Sequence, residues 1–335
     1  MKPADAPFLT VIVISQNNEA TIARTVSSIA TQSSPRPFEI ILVDSGSDKT
    51  VDIVRANFPE VAILHLPKPV FPGKARNEGL KIANGDVVSF PGSHVELSPG
   101  SLAARMAAHE KGYAMVTGAI INGTDTRAGW ASYFMDHAAS LPERPSGPLD
   151  SPPNSCSYDR RALMRSGPFP EDCRAGEDTV VNQRLWDAGH RAYRDNGIKL
   201  VHVTRCRTPG RLAYHHFIRG RAWGRILAER GRDAGELSGY FNRRLTLIED
   251  CVGRWGGLLA DCYSQVKPLI RLGVASAWIG AHSALATHRQ TLGNRPQADR
   301  AADIREASAG GSPSTSEEVA KNYHASEKRA TGEAP

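Results

Sequence analysis

The first hundred residues alternate continuous apolar runs with segments whose apolar residues recur at helical spacing. Four apolar runs, at residues 8–15, 38–43, 61–66 and 86–90, predict strands. Runs that are rich in β-branched residues and lack polar alternation are typical of strands buried on both faces of a parallel sheet. The segments between them predict helices at residues 20–31, 49–57 and 74–83. This order predicts three β-α-β units.

The rest of the chain changes character twice. Residues 101–204 continue the α/β pattern, and residues 205–292 are helical, first rich in Arg and then apolar. Residues 293–335 are small and polar with almost nothing to bury, so we predict a disordered tail. We therefore expect an α/β domain at residues 1–204, with a first half at 8–100, followed by a helical extension.

Charge and cysteine content narrow the class of protein. The 335 residues hold 41 Lys and Arg against 35 Asp and Glu, and residues 205–254 alone hold eleven Arg and five acids, which accounts for the surplus of +6. This surplus favours anionic partners without naming one. The five cysteines are widely spaced and form no C-x-x-C pair, which argues against disulfides and a zinc site and favours a cytoplasmic location. The first apolar run is too short for a signal peptide, so we expect no export.

Polar residues follow the first two strands, at the edge where parallel sheets bind ligands. The G-x-G-x-x-G fingerprint of dinucleotide enzymes is absent after the first strand, where residues 15–19 read SQNNE. Because the carboxyl ends of adjacent parallel strands share one edge, we expect a nucleotide to lie across Glu19 and Asp44. Taken alone, capping of the following helix explains Asp44 equally well.

Seven motifs, taken in their order along the chain, carry a resemblance to a known family. They are VIVISQNNEATI, ILVDSGSDKT, GKARNEGL, GDVVSF with PGSHVE, SGPFPED, GEDTVVNQRLWDAGH and VHV, and they lie within residues 8–225. In this order the chain resembles a family 2 glycosyltransferase of the GT-A fold, an inverting enzyme whose donor is a nucleotide-diphosphate sugar. The resemblance implies that residues 1–204 are a GT-A catalytic domain with a nucleotide-binding half at 8–100 and an acceptor half at 101–204. Its fold is α/β, a Rossmann-like, mostly parallel sheet flanked by helices.

The resemblance also assigns a donor site. It implies that the nucleotide sugar is bound by Ser15, Glu19, Asp44, Arg76 and Ser93. A carboxylate at a strand end can accept a hydrogen bond from a base N–H, and a guanidinium helps to balance a diphosphate. A UDP-sugar is favoured because the family often uses one, and the expected acceptor is a glycan, a lipid-linked molecule or a small molecule, as in polysaccharide biosynthesis.

The expected metal site departs from the pattern of the family. The family places a D-x-D pair after the fourth strand, and its second carboxylate binds the divalent cation, whereas this chain has Gly92-Ser93-His94. A D-x-H variant exists among GT-A enzymes, so the resemblance implies a Mn²⁺ or Mg²⁺ site at His94 and His202, and imidazole ligands favour Mn²⁺. The alternatives are that His94 is a loop residue without a metal and that Glu96 replaces the missing carboxylate.

Two acids, Glu177 and Asp178, lie at the predicted start of a helix. Inverting transfer needs one base that takes the proton of the attacking hydroxyl and one cation that neutralises the leaving diphosphate. The resemblance implies that Asp178 is the base and that Glu177 orients it or binds the acceptor. Ordinary capping of a helix by two acids is the alternative.

The Arg-rich segment resembles the helical region that closes over the donor or acceptor in this family. We predict that Arg219 and Arg221 clamp the diphosphate and that Trp223 stacks on a sugar. A solvated basic face, or one that touches anionic lipid headgroups, explains the same arginines equally well. Nucleic acid is not expected as a partner, because no DNA- or RNA-binding motif accompanies them.

The apolar segment at residues 255–292 includes 17 residues, 272–288, without Asp, Glu, Lys or Arg. A spanning helix needs about 20 apolar residues, so we expect none here. A helix lying on the inner face of the membrane is one interpretation. A helix that packs on the catalytic domain, or on a second copy in a homodimer, is the other.

Two functions follow from these observations. The first is an active glycosyltransferase, and the second is a nucleotide-sugar-binding protein that lost turnover together with its D-x-D site. Transfer that disappears in Asp178→Asn would support the enzyme, whereas donor binding without turnover under any metal would support the binding protein. A nucleotidyltransferase is disfavoured because a Gly-rich phosphate loop is absent near the N-terminus.

Overall fold

The computed structural model describes residues 6–153, 155–229 and 234–293, which form one mixed sheet with helices on both faces. Within this part of the chain the sheet has nine strands: β1 (Leu9–Ser15), β2 (Phe38–Asp44), β3 (Ala62–His65), β4 (Val87–Ser89), β5 (Val95–Leu97), β6 (Met115–Asn122), β7 (Gly147–Pro148), β8 (Ser157–Asp159) and β9 (Ala192–His202). The helices are α1 (Ile22–Ala30), α2 (Thr50–Asn57), α3 (Pro72–Ile82), α4 (Ser101–Glu110), α5 (Arg127–His137), α6 (Arg160–Arg165), α7 (Glu177–Asp187), α8 (Pro209–Glu229), α9 (Ala234–Trp255) and α10 (Leu259–Gly293). The order across the sheet is β3-β2-β1-β4-β8-β6-β9-β5, and β7 pairs with β9.

The strands β1 to β4 form the parallel unit that the sequence predicts. β1 lies between β2 and β4 and is parallel to both, with Ser15 opposite Asp44 at the carboxyl end. Successive side chains of β1 point to opposite faces, so Ile12 packs in the core under α3 and α7, whereas Val11 and Val13 pack under α1, α2 and α4. Burial on both faces explains why this strand reads as a continuous apolar run.

The strand β8 separates the parallel unit from the second half of the sheet. It is antiparallel to both β4 and β6, while β6 and β9 are parallel to each other. β5 and β7 are antiparallel to β9. The expected parallel arrangement therefore holds for β1 to β4 and for the β6–β9 pair, and the sheet as a whole is mixed. β5, β7 and β8 were not predicted because each has two or three residues, too few to show a pattern.

The helical extension consists of α8, α9 and α10, which pack on α5. The shared core contains fully buried side chains from all four helices: Phe134, Leu212, Ile248 and Ile270. α5 was not predicted, because a helix that is buried on most sides shows no alternation of apolar and polar faces. The predicted disordered tail at residues 293–335 lies outside the described residues, apart from Gly293 at the end of α10.

Small residues bring α8 and α10 into backbone contact. A Cβ atom at Gly220 would overlap the carbonyl of Ala277, and a Cβ atom at Gly224 would overlap the carbonyl of Ala281. From the other side, a Cβ atom at Gly280 would overlap the carbonyl of Phe217. Only glycine fits at these three positions, so the two helices lie closer together than larger side chains would permit.

One helix of the described chain, α10, is long and apolar enough over residues 259–288 to cross a membrane, judged by length and composition. The expectation of no spanning helix rested on the shorter uncharged segment within it. A core helix of a soluble protein passes the same test. In this structure α10 packs against α8, α9 and α5 through Val266, Ile270, Val274 and Ala281, which agrees with the packing interpretation of this segment.

A buried polar cluster lies between α4, β6 and β8. His109 places Nδ1 2.9 Å from the carbonyl oxygen of Tyr113, which can only accept, so Nδ1 carries the proton. Its Nε2 lies 2.7 Å from Ser157 Oγ, to which Arg105 also donates at 2.7 Å. Burial lowers the pKa of His109 to about 3, and the positive charge of Arg105 contributes to this shift. The imidazole is therefore neutral in the folded protein.

Because His109 stays neutral in the folded protein, we expect the free energy of unfolding to fall in acid. Its pKa of about 3 in the folded state lies below the ordinary value of 6.5. Above pH 6.5 neither state binds the proton, whereas below it the unfolded chain does and the folded chain does not. His109 alone should therefore lower the free energy of unfolding by up to about 1.4 kcal/mol per pH unit as the pH drops from 6.5 toward 3, and the other buried histidines add to this slope. Urea unfolding of the wild type at pH 7.5, 6.0 and 5.0 measures the slope.

The matching variants are His109→Gln and His190→Gln. His109→Gln removes the titrating group, so its stability should depend less steeply on pH, although its stability at pH 7.5 is lower. His190→Gln, on the loop after α7, should keep the slope of the wild type. Equal slopes for the wild type and His109→Gln would contradict the assignment of this group.

Candidate active site

Strand ends bring three of the predicted nucleotide-binding residues together. Ser15 and Asp44 are paired at the ends of β1 and β2. Gly92, just after β4, pairs with Ile14 of β1, and Ser93 follows it and is buried. The structure therefore places Ser15, Asp44 and Ser93 at one edge of the sheet.

Asp44 is enclosed at this edge, with 1% of its surface exposed. Its Oδ2 accepts a hydrogen bond from the backbone N–H of Gly46 at 2.9 Å and lies 3.3 Å from Nδ1 of His65, at the end of β3. Its Oδ1 is buried and has no hydrogen-bond partner in the described part of the chain. A buried oxygen without a donor is unfavourable, so this atom is suited to accept from a ligand N–H. The sequence analysis did not single out His65.

Glu19 is engaged by the loops that surround the site. Its Oε2 accepts from the backbone N–H of Lys49 at 3.1 Å, and Asp48 Oδ2 accepts from the backbone N–H of Glu19 at 2.9 Å. These reciprocal bonds join the loop after β1 to the turn after β2. Arg205 strengthens the same loop by donating to Asn18 Oδ1 at 2.8 Å. Glu19 thus shapes the loop, and Arg205, which sequence analysis did not single out, brings a cation to this edge.

His94 and His202 form a close pair of imidazoles. Their Nε2 atoms lie 3.1 Å apart, because pairing of β5 with β9 places Val95, the neighbour of His94, opposite His202. Burial lowers the pKa of His94 to about 3, and His202 and Arg205 contribute to the shift. Burial also lowers the pKa of His202 to about 3, with a further contribution from His137. Both rings are neutral at pH 7, which is the form that binds a metal ion.

The residues present fit the expected metal. Two imidazole nitrogens 3.1 Å apart match neighbouring ligand positions on an ion with metal–nitrogen distances of about 2.1 Å. A Cβ atom at Gly92 would lie 3.1 Å from Cε1 of His94, so the imidazole fills the space beside the position where the family has its first carboxylate. Glu96 binds Arg24 of α1 at 2.6 Å, so its carboxylate is already engaged.

A second group of ionisable residues lies beside His202. The ring of His137, at the end of α5, is 4.6 Å from the ring of His202. Its neighbour Asp136 lies 3.6 Å from Arg219 Nε and 3.7 Å from His215 Nε2, both on α8. Burial raises the pKa of Asp136, but the surrounding cations outweigh burial and hold the pKa well below its usual value, Arg219 having the largest such effect.

The sequence analysis did not single out this second group. The sequence offered only two consecutive pairs, Asp136-His137 and His215-His216, which are at least 78 positions apart in the chain. Only the crossing of α5 and α8 brings them together.

A buried ion pair joins α3 to α7. Arg76 donates to Glu177 Oε1 at 2.5 Å, and the two side chains are 14% and 6% exposed. Phe90 and Phe169 face the guanidinium, with its carbon 5.6 and 5.2 Å from their ring centres. Burial raises the pKa of Glu177, and Arg76 partly offsets that effect. The structure therefore pairs Arg76 with Glu177, and the predicted contact of Arg76 with the nucleotide stays a prediction.

Asp178 lies in the first turn of α7. Gly176, which precedes the helix, has a φ of +91°, in the left-handed region that favours glycine. Asp178 is half-buried, and its Oδ1 accepts from the backbone N–H of Thr179 at 2.8 Å. Burial acts to lower the pKa of Arg76, but the negative charges of Glu177 and Asp178 outweigh burial, so the pKa is raised. Asp178 therefore lies close enough to interact electrostatically with Arg76.

Helical spacing separates the three predicted clamp residues. Residues two apart on a helix point about 200° apart, whereas residues four apart share a face. Arg219 and Trp223 therefore lie on one face of α8, and Arg221 is exposed on another. Burial raises the pKa of Glu177, and the charge of Arg219 is among the effects that lower it, so Arg219 lies within reach of both α7 and Asp136. The structure brings Arg219 to the site and does not bring Arg221 to the same point.

Comparison with known sequences gives a consistent result. The family model described as "Glycosyl transferase family 2" matches residues 10–169. The pre-mycofactocin glycosyltransferase of Mycobacterium tuberculosis is 28% identical over 194 residues, which cover 55% of this chain and 40% of that protein. The human polypeptide N-acetylgalactosaminyltransferase 10 is 29% identical over 214 residues, covering 54% and 35%. The chain thus spans less than half the length of these curated relatives.

Among solved structures, the mannosyltransferase PcManGT from Pyrobaculum calidifontis, in complex with GDP-Man and Mn²⁺, is similar with a TM-score of 0.57. It is 18% identical, and the match covers 85% of this chain and 90% of that chain. At this identity the likeness shows the fold alone. The architecture is the GT-A fold that the sequence resemblance implied.

Proposed function

Because residues 10–169 belong to glycosyl transferase family 2, we propose that this protein is an inverting glycosyltransferase that moves a sugar from a nucleotide diphosphate to a hydroxyl acceptor. The observation that carries the proposal is the edge formed by β1, β2 and β4. There Asp44 is a buried carboxylate with one oxygen that has no hydrogen-bond partner among the described residues. The segment that leads to the neutral imidazoles of His94 and His202 starts at the same edge.

The nucleobase binds at Asp44. Its Oδ1 accepts from a base N–H, and Ser15 and His65 border the same position. Uracil N3–H and guanine N1–H both satisfy this oxygen. We favour uridine from the sequence resemblance and treat guanosine as the alternative, because PcManGT is described in complex with GDP-Man.

A divalent cation fits at His94 and His202. When bound there, it supplies positive charge to the donor diphosphate. Nitrogen ligands favour Mn²⁺ over Mg²⁺, and PcManGT is described with Mn²⁺.

Asp178 acts as the general base. As the acceptor oxygen attacks the anomeric carbon, its proton passes to a carboxylate oxygen of Asp178. The bond from the anomeric carbon to the diphosphate oxygen breaks at the same time, so configuration inverts and a nucleoside diphosphate leaves. Glu177 and Arg76 hold the start of α7, and Arg219 adds positive charge on the side of the leaving group.

A second candidate function rests on one observation. Gly92 lacks the first carboxylate of the metal motif, and His94 fills the adjacent space. A nucleotide-sugar-binding protein without turnover would have the same pocket. Turnover in the presence of Mn²⁺ distinguishes the two.

The acceptor we propose is a hydroxyl on a glycan, a lipid-linked carrier or a small molecule. Exposed apolar side chains on α10, Leu272, Trp278 and Ile279, support contact with the cytoplasmic face of a membrane. The same residues are suited to a homodimer interface. A dimer in detergent-free solution would favour that interface, whereas a monomer would favour contact with a membrane.

Donor binding tests the nucleotide site. Thermal unfolding of the purified chain with UDP, GDP and dTDP sugars, each with and without Mn²⁺, should show one nucleotide that stabilises the protein, by about 2.7 kcal/mol at a concentration 100 times Kd. Asp44→Asn keeps the shape but presents an amide in place of the accepting oxygen, so its affinity should fall at least about 10-fold, since a buried polar group is left unpaired.

The control is Asp187→Asn at the exposed end of α7, away from Asp44, which should bind the donor as the wild type does. Wild-type affinity in Asp44→Asn would contradict the assignment of the base site. Stabilisation by no nucleotide at all would contradict the proposed function.

A further inference from the structure

Asp136, His215 and His216 form a compact set of metal-ligating groups outside the predicted donor site. Asp136 comes from the last turn of α5, and the two histidines come from the first half of α8. Each offers one ligand atom, and the three atoms lie within 4.8 Å of one another. The closest measured approach is 3.7 Å, between Asp136 Oδ2 and His215 Nε2.

His216 supplies an independent observation. Only 3% of its surface is exposed, and its Nε2 is buried without a hydrogen-bond partner among the residues that the structure describes. A buried ring nitrogen in this state is unfavourable unless something satisfies it. His216 therefore has a ring nitrogen that is available to a ligand.

Asp136 can bind a metal ion and remain paired with Arg219. Arg219 approaches Oδ1, whereas His215 and Ser132 Oγ approach Oδ2, the latter at 3.3 Å. One oxygen is therefore on the side of the histidines while the other stays paired. Carboxylates that bind a metal through one oxygen are commonly held by a hydrogen bond at the other.

We propose that Asp136, His215 and His216 bind a Zn²⁺ ion at the junction of α5 and α8, separate from the pair His94 and His202. Two imidazole nitrogens and one carboxylate oxygen are a ligand set that Zn²⁺ prefers, with metal–ligand distances of about 2.0–2.2 Å. The three ligand atoms, now within 4.8 Å of one another, must move roughly 1 Å closer together to bind one ion, by rotation of their side chains. The side chain of His215 is 39% exposed, so the ion has a path from solvent.

This inference does not rest on the proposed function. The ion would fix α8 on α5 whether or not the neighbouring site transfers a sugar. The number of Zn²⁺ ions bound per chain therefore tests this site even if no donor binds.

Metal content tests the site. The purified full chain is incubated with ZnCl₂, freed of unbound metal by gel filtration and analysed by mass spectrometry for zinc per chain. Asp136→Asn and the double variant His215→Gln/His216→Gln should each bind one Zn²⁺ fewer than the wild type. The double variant His94→Gln/His202→Gln should retain that equivalent, and His190→Gln should match the wild type. Equal zinc content in the wild type and in both Asp136→Asn and His215→Gln/His216→Gln would overturn the proposal.

A second measurement needs no variant. Diethyl pyrocarbonate modifies accessible histidines, and the sites are identified by peptide mass spectrometry. Zn²⁺ should slow modification of His215 at least about 10-fold and leave His190 unchanged. Modification of His215 at the same rate with and without Zn²⁺ would also overturn the proposal.

Discussion

Replacing Asp178 with Asn should lower kcat by about 10³-fold and leave the Kd of the donor unchanged. General bases contribute roughly 10²–10⁴-fold in rate, and an amide cannot take the proton of the acceptor hydroxyl. The side-chain oxygen of Asn can still accept from the backbone N–H of Thr179, as Oδ1 of Asp178 does at 2.8 Å, so the start of α7 is kept. Steady-state transfer assays give kcat, and donor titration gives Kd.

The control lies on the same helix. Asp187→Asn makes the same chemical change at the exposed end of α7, where Asp187 accepts from Gln183 at 2.8 Å, and should retain full kcat. An Asp178→Asn enzyme that keeps a third or more of the wild-type kcat would exclude this residue as the base. Loss of donor binding in the variant would instead indicate a structural role.

Replacing Glu177 with Gln should lower the free energy of unfolding by about 3–5 kcal/mol. The substitution keeps the shape of the side chain but removes the ion-pair partner of the buried Arg76 guanidinium, and breaking a buried pair from one side has an effect of this size. Equilibrium unfolding in urea measures the change. Arg76→Met added to Glu177→Gln should recover part of the loss, because both charges are then gone.

The surface pair of Arg24 and Glu96 is the matched comparison. These atoms lie 2.6 Å apart, but Arg24 is 69% exposed. Glu96→Gln should therefore change the free energy of unfolding by less than about 1 kcal/mol. Equal effects of Glu177→Gln and Glu96→Gln would show that the pair between α3 and α7 contributes no more than a surface pair.

The sequence predicted those parts of the fold that depend on local pattern. β1, β2 and β4 are long or buried enough to read as apolar runs, and their shared carboxyl edge predicted that Ser15 and Asp44 meet. The parallel unit of β1 to β4 follows from the same pattern. The antiparallel β8 did not, because three residues after a Pro-rich loop carry no periodicity.

The sequence likewise predicted some residues of the candidate site and missed others. Motif order pointed to His94 and His202, and the structure brings their Nε2 atoms together. Asp136 and His215 were missed because their proximity depends on how α5 and α8 cross, which is determined by side-chain packing over many residues. The sequence gives no sign that Glu177, 101 residues away, forms an ion pair with Arg76.

The glycines between α8 and α10 restrict how this protein can open. Rotating or sliding α8 alone would bring a side chain against the carbonyls of Ala277 or Ala281, where only hydrogen atoms fit. The helix that carries Arg219 therefore has no independent hinge. Any displacement of α8 has to carry α10 with it, so a label attached to the outer surface of α10 would report on movement of Arg219.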